Sequence, residues 1–492
     1  MAEPADASAD EVGEVLFCGG TDWALLGRGG GSKKKTEAEK QAEVERGHKY
    51  PNLNTPHRLK SLQDVRITFV AAGSAASHCI VGDVDGRCFT WGRNEKGQLG
   101  HGDTLQRSVP TFIEKLKGKH VIGGAGGKHH TALATQDGAS YTFGSNLNGQ
   151  CGTGSIKSAP KAEELVLNPR SVNVEGCSAV ACGAEFTMWL CKGQLYSAGL
   201  PQYGQLGHGT DGEYNAKDSS VKLMYAPQPK PTAIKALAEL TITKVACGHN
   251  HTVALDDKGG VYSWGNGGYG RLGHEVQQDE FKPRQIQKMT GRTAADPKSI
   301  VACGSTSSFA NMTGGTLVCW GKLKVSGDNT MYPKPIFHDL QGWGIRHMAC
   351  GNATFAVAAE YQEPHRQNAA VEHSTITWGN ALYGELGYGS SGKKSSANPD
   401  KCMALEGCTT LQVAAGMGQL LFLVKPDDKT KALPVFEPEV LEEESKQAEA
   451  IVNGAAAPAK GAGKGKGAKG AGAAKRKADT EPAKGKGKSK KS

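Results

Sequence analysis

The chain has 492 residues and a formal net charge of +9, long enough for two to four ordinary domains or one repeat array. Its 38% hydrophobic content excludes disorder along the whole chain, and its 67 glycines follow no Gly-X-Y period, which excludes collagen. No apolar run reaches about 18 residues, which excludes a membrane-spanning helix. The 13 cysteines show no C-x-x-C spacing, which argues against a disulfide framework or a Cys-rich zinc module and for a reducing compartment.

Residues 1–13 are acidic and lack an apolar stretch, so they read as a disordered N-terminus rather than a secretory signal. A glycine-rich segment follows, Cys18-Gly19-Gly20-Thr21-Asp22-Trp23-Ala24-Leu25-Leu26-Gly27. Residues from about 30 to 60 read as an insertion, with Lys33-Lys34-Lys35 ahead of a helix-forming, charged run from Thr36 to Glu43.

From there the chain repeats itself. W-G-R-N-E-K-G-Q-L-G-H-G starts at Trp91, and W-G-N-G-G-Y-G-R-L-G-H starts at Trp264. W-G-N-A-L-Y-G-E-L-G-Y-G starts at Trp378, variants start at Phe143 and Ala198, and a degenerate copy starts at Trp320. An upstream element, A-C-G-x-x-x-T or a variant, recurs with glycines at Gly73, Gly127, Gly183, Gly248, Gly304, Gly351 and Gly416. Seven upstream elements face six downstream ones. The missing partner is Cys18 to Gly27, which falls in the frame of Trp91 to Gly100. A linear solenoid needs capped ends, whereas a ring gains from its first strand completing its last unit, which leaves no open edge.

Short β-rich runs such as Val245–Gly248, Thr252–Leu255 and Val261–Gly265, with a tight turn at 256–260, agree. The expected fold is all-β: a seven-bladed propeller over 14–425, closed by an N-terminal strand and carrying insertions at about 30–60 and 210–241. Glycine and the recurring Cys182, Cys247, Cys303 and Cys350 are small residues for packing near the axis.

Several motifs invite catalytic readings and fail them. Gly265, Gly267 and Gly270 match G-x-G-x-x-G, yet the repeat continues where a dinucleotide site needs a helix. Residues 123–129 look phosphate-binding but lack the P-loop's first glycine and its Ser/Thr after Lys128. His130 and His251 share one repeat slot, each followed by Thr, which favours a buried hydrogen-bonding role over a metal. His101, His208 and His274 share another slot and read as turn residues. No nucleophile, metal or cofactor is expected.

The non-repeating segments carry the functional reading. The insertion at 210–241 holds Asp211, Glu213, Tyr214, Lys217, Lys222 and Tyr225, candidates for a partner-binding loop; a long solvated linker is the alternative. Residues 426–455 read as an acidic linker, rich in glutamate from Glu437 to Glu449. Residues 456–492 form a Lys/Gly/Ala-rich tail with nothing to bury, and are expected to be disordered. The tail carries twelve Lys/Arg against two acids, which leaves the rest of the chain nearly neutral. Lys464, Lys466, Lys469, Lys475, Arg476, Lys477, Lys486, Lys488, Lys490 and Lys491 would bind polyanions in a salt-dependent, sequence-blind way. A localisation signal is the simpler reading; chromatin, RNA or the acidic microtubule surface are the others.

Together, the two elements resemble the regulator-of-chromosome-condensation repeat family, over about residues 14–425. Stretches 91–104, 267–274, 329–334 and 384–389 narrow the likeness to a chromosome-associated branch of it. The resemblance implies a monomeric propeller scaffold that binds a small GTPase of the Ran, Rac or Arf type, and in some members accelerates nucleotide exchange. It also implies a nuclear or nucleolar and chromosomal location, with cytoplasm or spindle in mitosis. The alternative is a non-catalytic scaffold that recruits partners to chromatin, RNA or microtubules.

Overall fold

The computed structural model describes residues 12–28, 37–154, 156, 165–215, 223–293, 299–323, 328–336, 340–363, 370–390 and 392–439. Six four-stranded antiparallel sheets and one five-stranded sheet stand around an axis as seven blades. The fourth blade is representative: Ile242–Cys247 innermost, then His251–Asp256, Val261–Gly265 and, outermost, Glu280–Gln285. Innermost strands of neighbouring blades touch all the way round, the seventh (Thr410–Ala415) meeting the first (Ile67–Ala71), so the ring is closed.

The A-C-G glycines sit where blades converge, and geometry requires them. A Cβ on Gly73 would lie 1.9 Å from the Gly126 carbonyl oxygen of the next blade. The corresponding distances are 2.4 Å from Gly248 to the Gly304 oxygen and 2.4 Å from Gly351 to the Gly416 oxygen. No side chain fits there.

Just outside this ring, histidines stitch blade to blade. Thr131 donates its hydroxyl proton to the Gln98 carbonyl (2.7 Å), so His78 Nε2, 2.8 Å from the same hydroxyl, is the donor to it. His130 meets Thr187 at 2.9 Å and His251 meets Ser308 at 2.9 Å in the same way, with the hydroxyls donating to Gln150 and Arg271 carbonyls. The hydrogen-bonding role read for His130 and His251 is thus observed. In the seventh blade Gln419 takes the slot, and its amide donates to the Ala76 carbonyl at 3.2 Å.

The closing blade is shared between the two ends of the chain. Glu14–Gly20 pairs with Gln419–Val424, setting Phe17 opposite Leu421 and Cys18 opposite Leu420. Sequence and structure differ next in one respect: the N-terminal region supplies two strands. Asn52–Leu59, inside the expected 30–60 insertion, is the outer strand of this blade and pairs with Glu14–Gly20. The 210–241 insertion shrinks likewise, because Gln228–Ala233 is the outer strand of the third blade. The described start of the acidic segment is attached rather than free. Val435–Phe436 adds a fifth, parallel strand beside Arg58–Leu59, and Lys60 pairs with Glu437 at 2.6 Å. Arg93 of the first blade, buried, donates to the Trp23 carbonyl (2.9 Å) and to that of Leu26, holding the N-terminal turn against its neighbour.

Two outcomes test this packing. Gly248→Ala is expected to cost about 3 kcal/mol, lowering the thermal midpoint by about 3 °C. Gly123→Ala, with nothing within 4 Å of the added methyl, should leave the midpoint in place. Equal effects would contradict the packing argument.

Burial lowers the His78 and His130 pKa values to about 3, against about 6.5 in an unfolded chain. The unfolded state therefore binds more protons between those values, so stability is full above pH 6.5 and is lost as pH falls towards 3. In that window each histidine contributes a slope of up to about 1.4 kcal/mol per pH unit. A His78→Gln/His130→Gln variant should show a shallower fall of thermal midpoint from pH 7 to 4; an unchanged fall would remove the histidines as its cause.

Candidate partner-binding face

Because each blade is an antiparallel meander, loops joining first to second and third to fourth strands share one face, here the upper face. The W-G-x-N-x-x-G-Q-L-G motif builds the third-to-fourth loops. Asn94 Oδ1 accepts from Leu99 N (2.9 Å) and Gln98 Oε1 from Lys96 N (2.9 Å). Asn146 and Gln150 repeat this at 3.0 and 2.9 Å, as do Gln205 on Tyr203 N (2.7 Å) and Glu385 on Tyr383 N (2.8 Å). A third-strand hydroxyl then bonds the carbonyl of the loop's buried residue: Thr90 with Leu99, Ser197 with Leu206, Ser263 with Leu272 and Thr377 with Leu386. His101, His208 and His274 are more than turn residues. Their Nε2 atoms lie 3.0, 2.8 and 2.9 Å from the Thr90, Ser197 and Ser263 hydroxyls and pin each turn to its strand.

This rigid platform carries apolar side chains in water. Leu382 is 69% exposed, Leu147 53% and Leu25 49%, and Tyr269 is exposed too, each on a third-to-fourth loop of a different blade. Towards the lower face the exposed apolar groups among the described residues are Ile122, Val371, Met403 and Val435. Across the axis, His249 Nε2 meets the Ser74 carbonyl at 3.0 Å. The bond joins the fourth blade to the first and floors the upper face at its centre.

Two insertions rise from the platform. The helix Glu37–Lys49, the charged helix read from the sequence, lies between the two N-terminal strands of the closing blade. Arg46 holds it to Asp22 through two contacts, one of them Nη2 to Oδ1 at 2.7 Å. In the third blade, Glu213–Asn215 and Leu223–Tyr225 form a separate two-stranded hairpin. Tyr214 stands opposite Met224, so both point to one side, while Leu223 and Tyr225 point to the other. Tyr214, Leu223 and Met224 are all exposed. Asp211 Oδ1 accepts from Glu213 N at 3.1 Å and shapes the hairpin base. Burial, then the Glu213 and Asp211 carboxylates, raise the Tyr225 phenol's pKa.

Of the six loop candidates, the structure thus brings Asp211, Glu213, Tyr214 and Tyr225 together. Lys217, Lys222 and every tail lysine lie outside the described residues. Sequence reading missed Leu147 and Leu382. They share a repeat slot that holds Glu95, Gln202, Gly268 or Asp22 in other blades, and an apolar residue in a slot so often polar was the available signal. It also missed Tyr269, which alone among the residues before the loop glycine takes a left-handed backbone, at φ 63°. Its ring lies 5.6 Å from the Arg271 guanidinium and 5.1 Å from the Lys322 ammonium. Arg271 stands where other loops place the capping Gln or Glu, so this loop is held instead through Asp279 on Gly267 N and Gln277 on Tyr269 N.

Residues 7–325 match the family described as RCC1-like domain. Over 449 aligned residues the chain is 38% identical to the Protein RCC2 homolog of Xenopus laevis, covering 87% of this chain and 82% of that one. It is 37% identical to Protein RCC2 of Homo sapiens, covering 87% and 80%. Among solved structures, human WBSCR16 superposes with a TM-score of 0.61 at 19% identity, over 84% of this chain and 99% of that one. Prp20p of Saccharomyces cerevisiae, described with its binding to Gsp1p and histones, superposes with a TM-score of 0.60 at 17% identity, over 90% and 95%.

Proposed function

The chain belongs to the RCC1-like domain family, and from that premise we propose that it is a scaffold whose upper face binds a small GTPase of the Ran, Rac or Arf type. One observation carries the reading: the Glu213–Tyr225 hairpin stands on the upper face with Tyr214, Leu223 and Met224 exposed, on a face whose loops expose Leu25, Leu147, Tyr269 and Leu382 as well. The binding to Gsp1p and histones described for Prp20p supports the choice of partner class.

Nucleotide exchange on such a face needs no covalent chemistry. A surface that binds the nucleotide-free GTPase more tightly than the loaded one lowers nucleotide affinity by the same factor, and each tenfold difference is about 1.4 kcal/mol. The hairpin, apolar on both sides with carboxylates at its base, is the element placed to enter the partner.

Release of a fluorescent guanine nucleotide from Ran-, Rac- and Arf-type GTPases, with binding measured in parallel, tests this. At least one GTPase should bind, and binding should fall at least tenfold when Tyr214, Leu223 and Met224 become serine, with the thermal midpoint unmoved. Replacing only 213–225 spares the blade strand Gln228–Ala233. Binding without accelerated release selects the non-catalytic scaffold; no binding to any of the three refutes the proposal.

The basic tail, residues 456–492, is proposed as a polyanion tether acting beside the propeller. Removing it should abolish retention on immobilised heparin at moderate salt. Undiminished retention would place the affinity on the propeller instead.

A further inference from the structure

Cys177 opens the innermost strand of the third blade and Cys191 ends the second, and antiparallel pairing sets the two directly opposite each other. Residues so placed have Cα atoms about 4.5–5.5 Å apart, within the roughly 4.4–6.8 Å that a disulfide spans. Both side chains enter the same small cluster with Trp189, and the two thiols lie close enough for each to shift the other's titration. All thirteen cysteines are among the described residues, and all are free thiols. Those in the recurring A-C-G slot face residues such as Thr187, Thr252, Ser308 and Phe355 across their ladders. Cys177 and Cys191 alone face another cysteine.

We propose that Cys177 and Cys191 form a reversible cross-strand disulfide, a two-electron redox site at the lower end of the third blade whose oxidant is a hydroperoxide.

The surroundings assign the roles. The Cys177 S–H donates to the Ala179 carbonyl at 3.5 Å; the neighbouring Cys177 thiol and the Lys192 ammonium lower the Cys191 pKa against the opposing effect of burial. The Cys177 pKa is raised, chiefly by its neighbour Cys191 and then by burial. With the exposed, cationic Lys192 next to it in the turn, Cys191 is the thiolate nucleophile and Cys177 the resolving thiol. The Cys191 thiolate attacks the peroxide oxygen; the O–O bond breaks, a sulfenic acid forms, and the departing hydroxide takes a proton to become water. Cys177 then loses its proton and attacks the Cys191 sulfur, forming the S–S bond and expelling a second water. Two thiols lose two electrons and one peroxide gains them. Access is from the adjoining turn, where Lys192 is exposed and takes a left-handed backbone at φ 49°.

Exposing the full-length protein to hydrogen peroxide, then alkylating, unfolding and digesting without reductant, reads the outcome by mass spectrometry. A linked 177–191 peptide should appear, two hydrogens lighter than its reduced parts, and vanish with dithiothreitol. The other eleven cysteines should stay alkylatable. In Cys177→Ser, a sulfenic acid at Cys191 should persist and react with dimedone; Cys191→Ser should give neither product. Should the variants fail to fold, the wild-type digest decides alone. Both residues left alkylatable at peroxide levels that oxidise surface methionines, or a disulfide linking another pair, would overturn the proposal.

Discussion

At the axis, backbone carbonyls stand where a neighbouring blade's side chain would begin, within 2.8 Å of the Cβ that Gly73, Gly127, Gly248, Gly351 or Gly416 would carry. That contact is possible only with glycine, and the rest of the molecule is arranged around it. It fixes how closely wedge-shaped sheets converge, and so the slot for the histidine or glutamine that bonds the next blade. It also fixes where the third-to-fourth loops meet their neighbours: Thr131 donates to the loop of the preceding blade, and Thr187 and Ser308 do the same. Packing, hydrogen bonding and loop position are one constraint seen at increasing radius.

Closure follows from the same logic. An open ring would leave a central strand unpaired and its carbonyls unsatisfied. Two N-terminal strands fill the last blade, and a short C-terminal strand covers part of its outer edge. The closing contacts are as buried as any in the protein: Val15, Leu16, Phe17 and Cys18 are inaccessible, as are Leu420 to Val424. Arg93 adds a seam between blades, its guanidinium satisfied by carbonyls of the N-terminal turn. A platform closed in this way can hold insertions without deforming, which recognition by loops requires.

Much of the fold was legible in the sequence, because glycine and the W-G-x-N frame report strict geometry. The seven axial glycines and the displaced copy at Cys18 to Gly27 were enough to count blades and find the closing strand. The outer strands were harder to read. N-L-N-T-P-H-R-L and Q-P-K-P-T-A fall inside the two expected insertions, and E-F-K-P-R-Q and S-A-N-P-D-K carry no β-rich run, since all four are polar and broken by proline. They are edge strands, and proline at an edge costs no ladder bond while it discourages pairing with another chain. Each of the seven outer strands holds such a proline: Pro56, Pro110, Pro169, Pro229, Pro283, Pro333 and Pro399. That regularity was the overlooked signal. The candidate site was half legible for a different reason. Tyr214 and Tyr225 stand in a visible insertion, whereas Leu147 and Leu382 gain meaning only when the fold gathers them on one face.

The division of labour is plain in physical terms. Invariable backbone contacts make the ring; single variable positions in stiff loops, with one hairpin and one helix, give one face its character. All of it presupposes that the start of the chain is an integral part of the last blade. Native-state hydrogen exchange of the amides of Val15 to Cys18 measures this directly. The account predicts protection matching that of Leu420 to Leu423; exchange of Val15 to Cys18 at unprotected rates, while Leu420 to Leu423 stay closed, would contradict it.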